Sequence, residues 1–419
     1  MTSNQTLDEA RLQQPVFRHP ETRWADVEAF HAASVREDGI HVIGSGAARQ
    51  IEILTGGSPF ESIDEPVLVI FSGAISDRET KTPPFFSGSG LAASTGHAFI
   101  AISDPGIELS GQIAIAWYAG SAHHDTRSAL IELLSPLSVR LGTDLWLVGG
   151  SAGGFSALAM GHALPGGPSV FTWNPQTDIL EYSRRFVVDY LTTAFPVSAQ
   201  ELGGPDYKDV GREVLRRHGV VSSHLDSLPS QGPGRLFYLQ NATDVHFLDH
   251  CRPYLRSQGY TRYDRGVWRR DRDKVIWIAD VAPGHTPPSR DQLVYLLHRL
   301  THSADDVLTT VRHLDAADYF RDDPVRRPEP LAVVAEEISR RVTVDWDGAE
   351  LHVQSDLPDG VGHLTWTAEL VSNGRPVEAS GPQTAWGSWA PSSRAKADEL
   401  VVELLDGFGD EVLTRRVAL

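Results

Sequence analysis

The sequence predicts a mixed α/β protein with a mostly parallel central sheet, followed by a small antiparallel β-sandwich. Three observations predict it. Six apolar runs alternate with segments of helical period, the pattern of strand–helix–strand units. The early runs are continuous rather than alternating, as in strands buried on both faces. Towards the C-terminus the pattern becomes alternating strands joined by Asp-Gly and Asn-Gly turns.

In chain order, 41–57 alternates like an exposed or edge hairpin that joins the sheet, and residues 1–58 form an N-terminal segment around it. The apolar runs are "PVLVIFSGA" (66–74), "HAFIAISDPG" (97–106), "DLWLVGG" (144–150), "SVFTWNPQ" (169–176), "GRLFYLQNATD" (234–244) and "KVIWIADVAPGH" (274–285). Helical period marks 127–142, 152–164, 246–259 and 289–314. These elements make up an α/β unit at 59–320. Residues 177–233 interrupt the rhythm with two helical segments, 181–195 and 206–219, and read as a lid over a site. "RDDPVRRPEP" (321–330) is polar and Pro-rich, which reads as a linker. The β-sandwich is expected at 331–419.

The chain of 419 residues has an ordinary globular composition, 41% hydrophobic and 22% charged. Its net charge of −18 speaks against nucleic acid or an anionic membrane as partner. No apolar stretch is long enough to insert in a membrane. The N-terminal sequence lacks a basic segment followed by an apolar one, and the single cysteine, Cys251, allows no internal disulfide. Both features lead to the expectation of a cytoplasmic protein. Gly-rich stretches are present but none reads as a phosphate-binding loop, and no strong metal signature appears, so no cofactor is implied.

The chemistry concentrates at "DLWLVGGSAGGFSALAMGHAL" (144–164). An apolar strand breaks into glycines around Ser151 and resumes as a helix. A serine hydroxyl is a weak nucleophile until a base takes its proton. A tight strand-to-helix turn lifts it off the sheet edge, and only small neighbours fit that turn. Gly149-Gly150-Ser151-Ala152-Gly153 matches G-x-S-x-G in that context.

Here the sequence resembles the α/β-hydrolase family over about residues 60–315. The resemblance implies Ser151 as nucleophile, with the order serine, acid, histidine along the chain. Asp244 follows one later strand and His285 the last, so Asp244 is the implied acid and His285 the implied base. Asp249 and Asp280 are rivals for the acid, His246 and His250 for the base. The two histidines stand four apart on a helical segment. They lack a third metal ligand and read as helix surface. The amide of Ala152 is one implied oxyanion donor. The loop after "VIFSG" supplies the other, Ala74, with Ile75 its neighbour.

Trp117 and Tyr118, with His123 and His124, follow the 97–106 strand and are expected at a pocket mouth; Trp173 and Asn174 end the strand after the nucleophile helix, on the carboxyl edge where ligands bind in open α/β sheets, and with Trp117 and Tyr118 are candidate substrate contacts. Trp386 and Trp389 flank Gly387-Ser388 in an expected loop of the β-sandwich and are candidates for carbohydrate contact. The expected function is esterase-type hydrolysis or acyl transfer on a small-molecule or carbohydrate ester. A weaker resemblance is to hydrolase-fold proteins of bacterial capsule and glycan assembly. A non-catalytic scaffold that binds a glycan or protein, and a peptidase of the same fold, are the competing readings.

Overall fold

The computed structural model describes residues 19–44, 50–226, 232–317, 319–320, 335, 338–356, 364–383, 386–393 and 396–419. The stretch 321–330, read above as a linker, lies outside them.

Eleven strands form one sheet: β1 (Glu21–Trp24), β2 (Ile40–Ile43), β3 (Ile51–Gly56), β4 (Val67–Phe71), β5 (Ala98–Ser103), β6 (Leu145–Gly150), β7 (Ser169–Trp173), β8 (Arg235–Asn241), β9 (Thr261–Asp264), β10 (Val267–Arg269) and β11 (Lys274–Ala279). Their order is β1-β2-β3-β5-β4-β6-β7-β8-β11-β10-β9. From β5 through β11 every neighbour pair is parallel, and β3 runs antiparallel to β2 and to β5. This strand order, with a serine turn leaving central β6, is the α/β-hydrolase fold.

The carboxyl ends of β4, β6, β7, β8 and β11 therefore lie along one edge. Helices cover both faces of the sheet. On one face pack α1 (Val27–Ala32), α3 (Thr126–Leu141), α4 (Ala152–Ala163) and α7 (Arg252–Ser257). On the other pack α2 (Ser89–Thr95), α8 (Arg290–His302) and α9 (Val307–Ala316). The lid segment contains α5 (Arg184–Ala194) and α6 (Tyr207–Arg217). Its apolar faces bury Val187, Leu191 and Leu215 with Ile107, Trp117 and Phe155 in a separate core above the sheet edge.

Two expectations are corrected and one element is added. The 41–57 strands are not an exposed edge: β2 and β3 are buried, and β1 pairs in parallel outside β2. The run 289–314 is two helices, because Asp306 caps a new one with its side chain on the Thr309 amide. Between α7 and β11 the chain makes an antiparallel hairpin, β9–β10, which extends the sheet.

Beyond α9 lie two antiparallel sheets. One contains β12 (Val342–Trp346), β13 (Leu351–Ser355) and β16 (Gly387–Trp389); the other contains β14 (Thr365–Ser372), β15 (Arg375–Ala379), β17 (Glu399–Leu405) and β18 (Glu411–Ala418). Leu351 and Val353 of the first share a core with Trp366, Leu370 and Val402 of the second. Trp389 stands on a strand rather than in a loop and packs against that core, whereas Trp386 is exposed.

Candidate active site

Ser151 sits between β6 and α4 with φ of 54° and ψ of −120°, a strained backbone for a non-glycine residue. Its neighbours have no room for side chains. A Cβ on Gly153 would fall 2.2 Å from the Phe71 carbonyl oxygen, and one on Gly150 2.0 Å from the Trp173 indole. The turn is held by the Ser151 amide donating to the Trp173 carbonyl and by the Ser151 carbonyl accepting from Phe155 and Gln176, each at 3.1 Å. α4 behind it is buried on nearly all sides, as a helix wedged between sheet and lid must be.

The fold brings Ser151, His285 and Asp244 together. Nε2 of His285 is 3.0 Å from Ser151 Oγ, and its Nδ1 is 2.6 Å from Asp244 Oδ2. The Asp244 side chain is fully buried, and its Oδ1 accepts from the His246 amide at 3.0 Å. The His285 side chain is 35% exposed and faces the cavity. Two residues at the end of β8 fix its loop. Asn241 Nδ2 donates to the carbonyls of Ala282 and Gly284, and Thr243 Oγ1 donates to Ala282 (2.9 Å) while accepting from the Gly284 amide (2.8 Å).

Ala152 is the first residue of α4, so its amide has no acceptor inside the helix. On the facing loop the Ile75 amide is committed to the Ala114 carbonyl at 2.8 Å. Ala74 lines the cavity beside Ser151.

That cavity holds about 610 Å³ and is open to solvent. Trp173, Tyr182, Leu91 and Leu293 give it apolar walls, and Asn174 and Arg290 are among its polar groups. Trp173 and Asn174 are thus beside Ser151, as expected, although the Asn174 carboxamide is already used: it accepts from the Asn241 amide at 2.7 Å and donates to the Thr286 carbonyl at 3.4 Å. Trp117 and Tyr118 line a second cavity, together with His123, His124 and Phe155. Both are buried and neither lines the cavity beside Ser151. The Tyr118 hydroxyl accepts from the Ser72 amide and donates to the Ile102 carbonyl, each at 2.8 Å, and so ties β4 to β5. Asp280, a rival acid, is exposed just past the end of β11, and it is Asp244 that hydrogen-bonds His285.

His246 and His250 are not helix surface; both are buried. They lie at a π-helical turn, Phe247–Cys251, ahead of α7. The His246 ring centroid is 4.0 Å from that of His285. Burial, and then the nearness of His285, push the His246 imidazole down to about 4, so it is neutral at pH 7. Asp244, His246 and His285 each offer one ligand atom, all within 4.8 Å of one another, a donor set suited to zinc. The oxygen of Asp244 and both ring nitrogens of His285 are engaged in the chain to Ser151.

Two residues escape sequence reasoning. Gln176 is fully buried with its Nε2 3.2 Å from Ser151 Oγ. Tyr182 comes from the lid to the cavity wall. A glutamine after a strand carries no signal of its own, and the lid's docking is a tertiary result.

No family model matches the sequence, and no curated protein matches it. Among solved structures, the chain is similar to a capsule O-acetyltransferase of Neisseria meningitidis serogroup A: 14% identity over 64% of this chain and 97% of that one, TM-score 0.41. An S-formylglutathione hydrolase from Agrobacterium tumefaciens aligns at 12% identity over 62% of this chain and 91% of that one, TM-score 0.38. An acetyl xylan esterase from Aspergillus awamori aligns at 11% identity over 60% and 94%, TM-score 0.33. The fold assignment rests on the strand order and the serine turn of this chain. Among the described residues no helix is long and apolar enough to cross a membrane.

Proposed function

We propose that the protein is a serine hydrolase or O-acyltransferase that works through an acyl-serine intermediate. One observation carries this reading: an unbroken hydrogen-bonded chain from Ser151 Oγ through His285 to buried Asp244, opening on a cavity. Ser151 Oγ attacks the ester carbonyl carbon as His285 Nε2 takes its proton. The Asp244 carboxylate holds the His285 tautomer and stabilises the imidazolium. The amides of Ala74 and Ala152 are the donors for the developing oxyanion. His285 returns the proton to the leaving oxygen as the carbonyl–oxygen bond breaks. Water or an acceptor hydroxyl then attacks the acyl-serine, gives its proton to His285, and Ser151 recovers a proton as it leaves.

The finer reading is an acylated carbohydrate as substrate. A wide cavity with the aromatic rings of Trp173 and Tyr182 beside polar Asn174 and Arg290 supports it, since ligand sites combine apolar walls with a few placed polar groups. Acetate release from acetylated oligosaccharides, run beside simple p-nitrophenyl esters, tests it. Release by the wild type should fall roughly a thousandfold or more in Ser151→Ala. Turnover of the simple esters with none of the acetylated sugars would move the substrate away from carbohydrate.

A further inference from the structure

Gln176 makes two contacts with the serine turn. Its backbone N–H donates to the Ser151 carbonyl at 3.1 Å, and its side-chain Nε2 lies 3.2 Å from Ser151 Oγ. On its other side the Nε1–H of Trp117, itself buried, donates to Gln176 Oε1. An indole N–H can only donate. The amide oxygen of Gln176 therefore faces Trp117, and its NH2 faces Ser151. Trp117 is held in turn by the Ser156 hydroxyl donating to its carbonyl at 2.9 Å. Because Oγ accepts from Gln176, its own proton is directed to the remaining acceptor, His285 Nε2. Trp117, Gln176, Ser151, His285 and Asp244 form one chain in which every donor points the same way.

We propose that Gln176 is a further catalytic residue that donates a hydrogen bond to Ser151 Oγ, and that Trp117 is the positioning residue that orients its amide. The inference rests on the acyl-serine reading above. Its effect is unequal between the two half-reactions. The free hydroxyl already accepts from Gln176, so little is gained on the way to acylation. In the acyl-serine, Oγ is an ester oxygen and a poor acceptor. When water attacks and the bond between Oγ and the carbonyl carbon breaks, negative charge returns to Oγ and His285 delivers a proton to it. The Gln176 bond forms again at that moment, so it speeds deacylation more than acylation.

The test follows formation and loss of the acetyl-enzyme with p-nitrophenyl acetate, by rapid quench and intact-protein mass, in the full chain. Gln176→Met, which keeps the shape and lacks the donor, should slow deacylation about tenfold, the worth of one such bond. Acylation should stay within about twofold on the same argument. Trp117→Phe removes the N–H, together with part of the ring, and should shift the same ratio in the same direction. In Gln176→Glu only the protonated carboxyl can donate, so its deacylation rate relative to wild type should rise as pH falls. Equal slowing of both steps in the Met and Phe variants, or no slowing, overturns the proposal while leaving the acyl-serine reading intact. A wild type that forms no acyl adduct overturns both.

Discussion

The imidazole rings of His246 and His285 are 4.0 Å apart, centre to centre, tilted by 49°. The first is buried and neutral, the second reaches the cavity. In the proposed mechanism a neutral ring thus backs the base without opposing the positive charge it gains. His246→Phe should preserve that packing and keep fluorophosphonate labelling within about threefold of wild type. His246→Ala leaves a void beside the base and should slow labelling about tenfold or more through misplacement of His285. Equal rates in the two variants would show that the packing contributes nothing.

Stability should fall on acidification. Burial pushes His162 and His246 down to about 4 and His224 to about 3, whereas unfolded histidine titrates near 6.5. Between pH 6.5 and 4 the unfolded chain binds protons that the folded one does not. The stabilisation is therefore complete above about pH 6.5 and is lost as pH falls, by up to about 1.4 kcal/mol per pH unit for each histidine. Asp104 and Asp410, each pushed up to about 6, chiefly by burial, act in the opposite sense over roughly pH 4–6 and offset two of the three. Urea midpoints should be level from pH 7 to 8 and decline below 6.5, less steeply in His162→Gln.

Gly153→Ala should damage the serine turn. The added methyl would meet the Phe71 carbonyl, which is backbone of a central strand and has no rotamer to take. A loss of about 1–3 kcal/mol in urea unfolding is expected from the forced shift, with labelling slowed more than labelling in Gly90→Ala, where the methyl meets open space.

Arg265 on the β9–β10 turn joins the two parts of the chain. Its guanidinium is 2.8 Å from Asp406 and packs over the Phe408 ring; Arg262 is 2.9 Å from Asp410. Both carboxylates are nearly fully buried. Arg265→Met would leave that charge uncompensated, at a cost of about 3–5 kcal/mol. Burial and the nearby Asp406 charge push Asp410 up to about 6. Below that pH its protonation relieves the repulsion, so the drop in Tm relative to wild type should be smaller at pH 5 than at pH 8.

The parallel sheet was legible because strands buried on both faces are written as continuous apolar runs, as in "VLVIF" and "LWLVGG". The serine turn was legible because close backbone approach leaves only glycine around Ser151. Asp244 and His285 were placed by their position after successive strands, and the fold brings both to Ser151. Burial of polar residues was not legible. His246 and His250 carry the spacing of a solvated helix face, and only the docking of the π-helical turn ahead of α7, where His250 Nδ1 accepts from the Thr177 amide, turns them inward. Tyr118 and Trp117 have the composition of a pocket wall and do line one, but it is not the cavity beside Ser151, and their hydrogen bonds to Ser72, Ile102 and Gln176 carry no mark in the sequence. The hairpin β9–β10 was missed because its strands are short and mostly polar.

In the proposed mechanism Ser151 is activated by His285 and Asp244. Intact-protein mass after incubation with a fluorophosphonate tests it most directly, with wild type beside Ser151→Ala. One adduct is expected on the wild type and none on the variant. A folded wild type that takes no adduct, or an adduct that survives in Ser151→Ala, would contradict it.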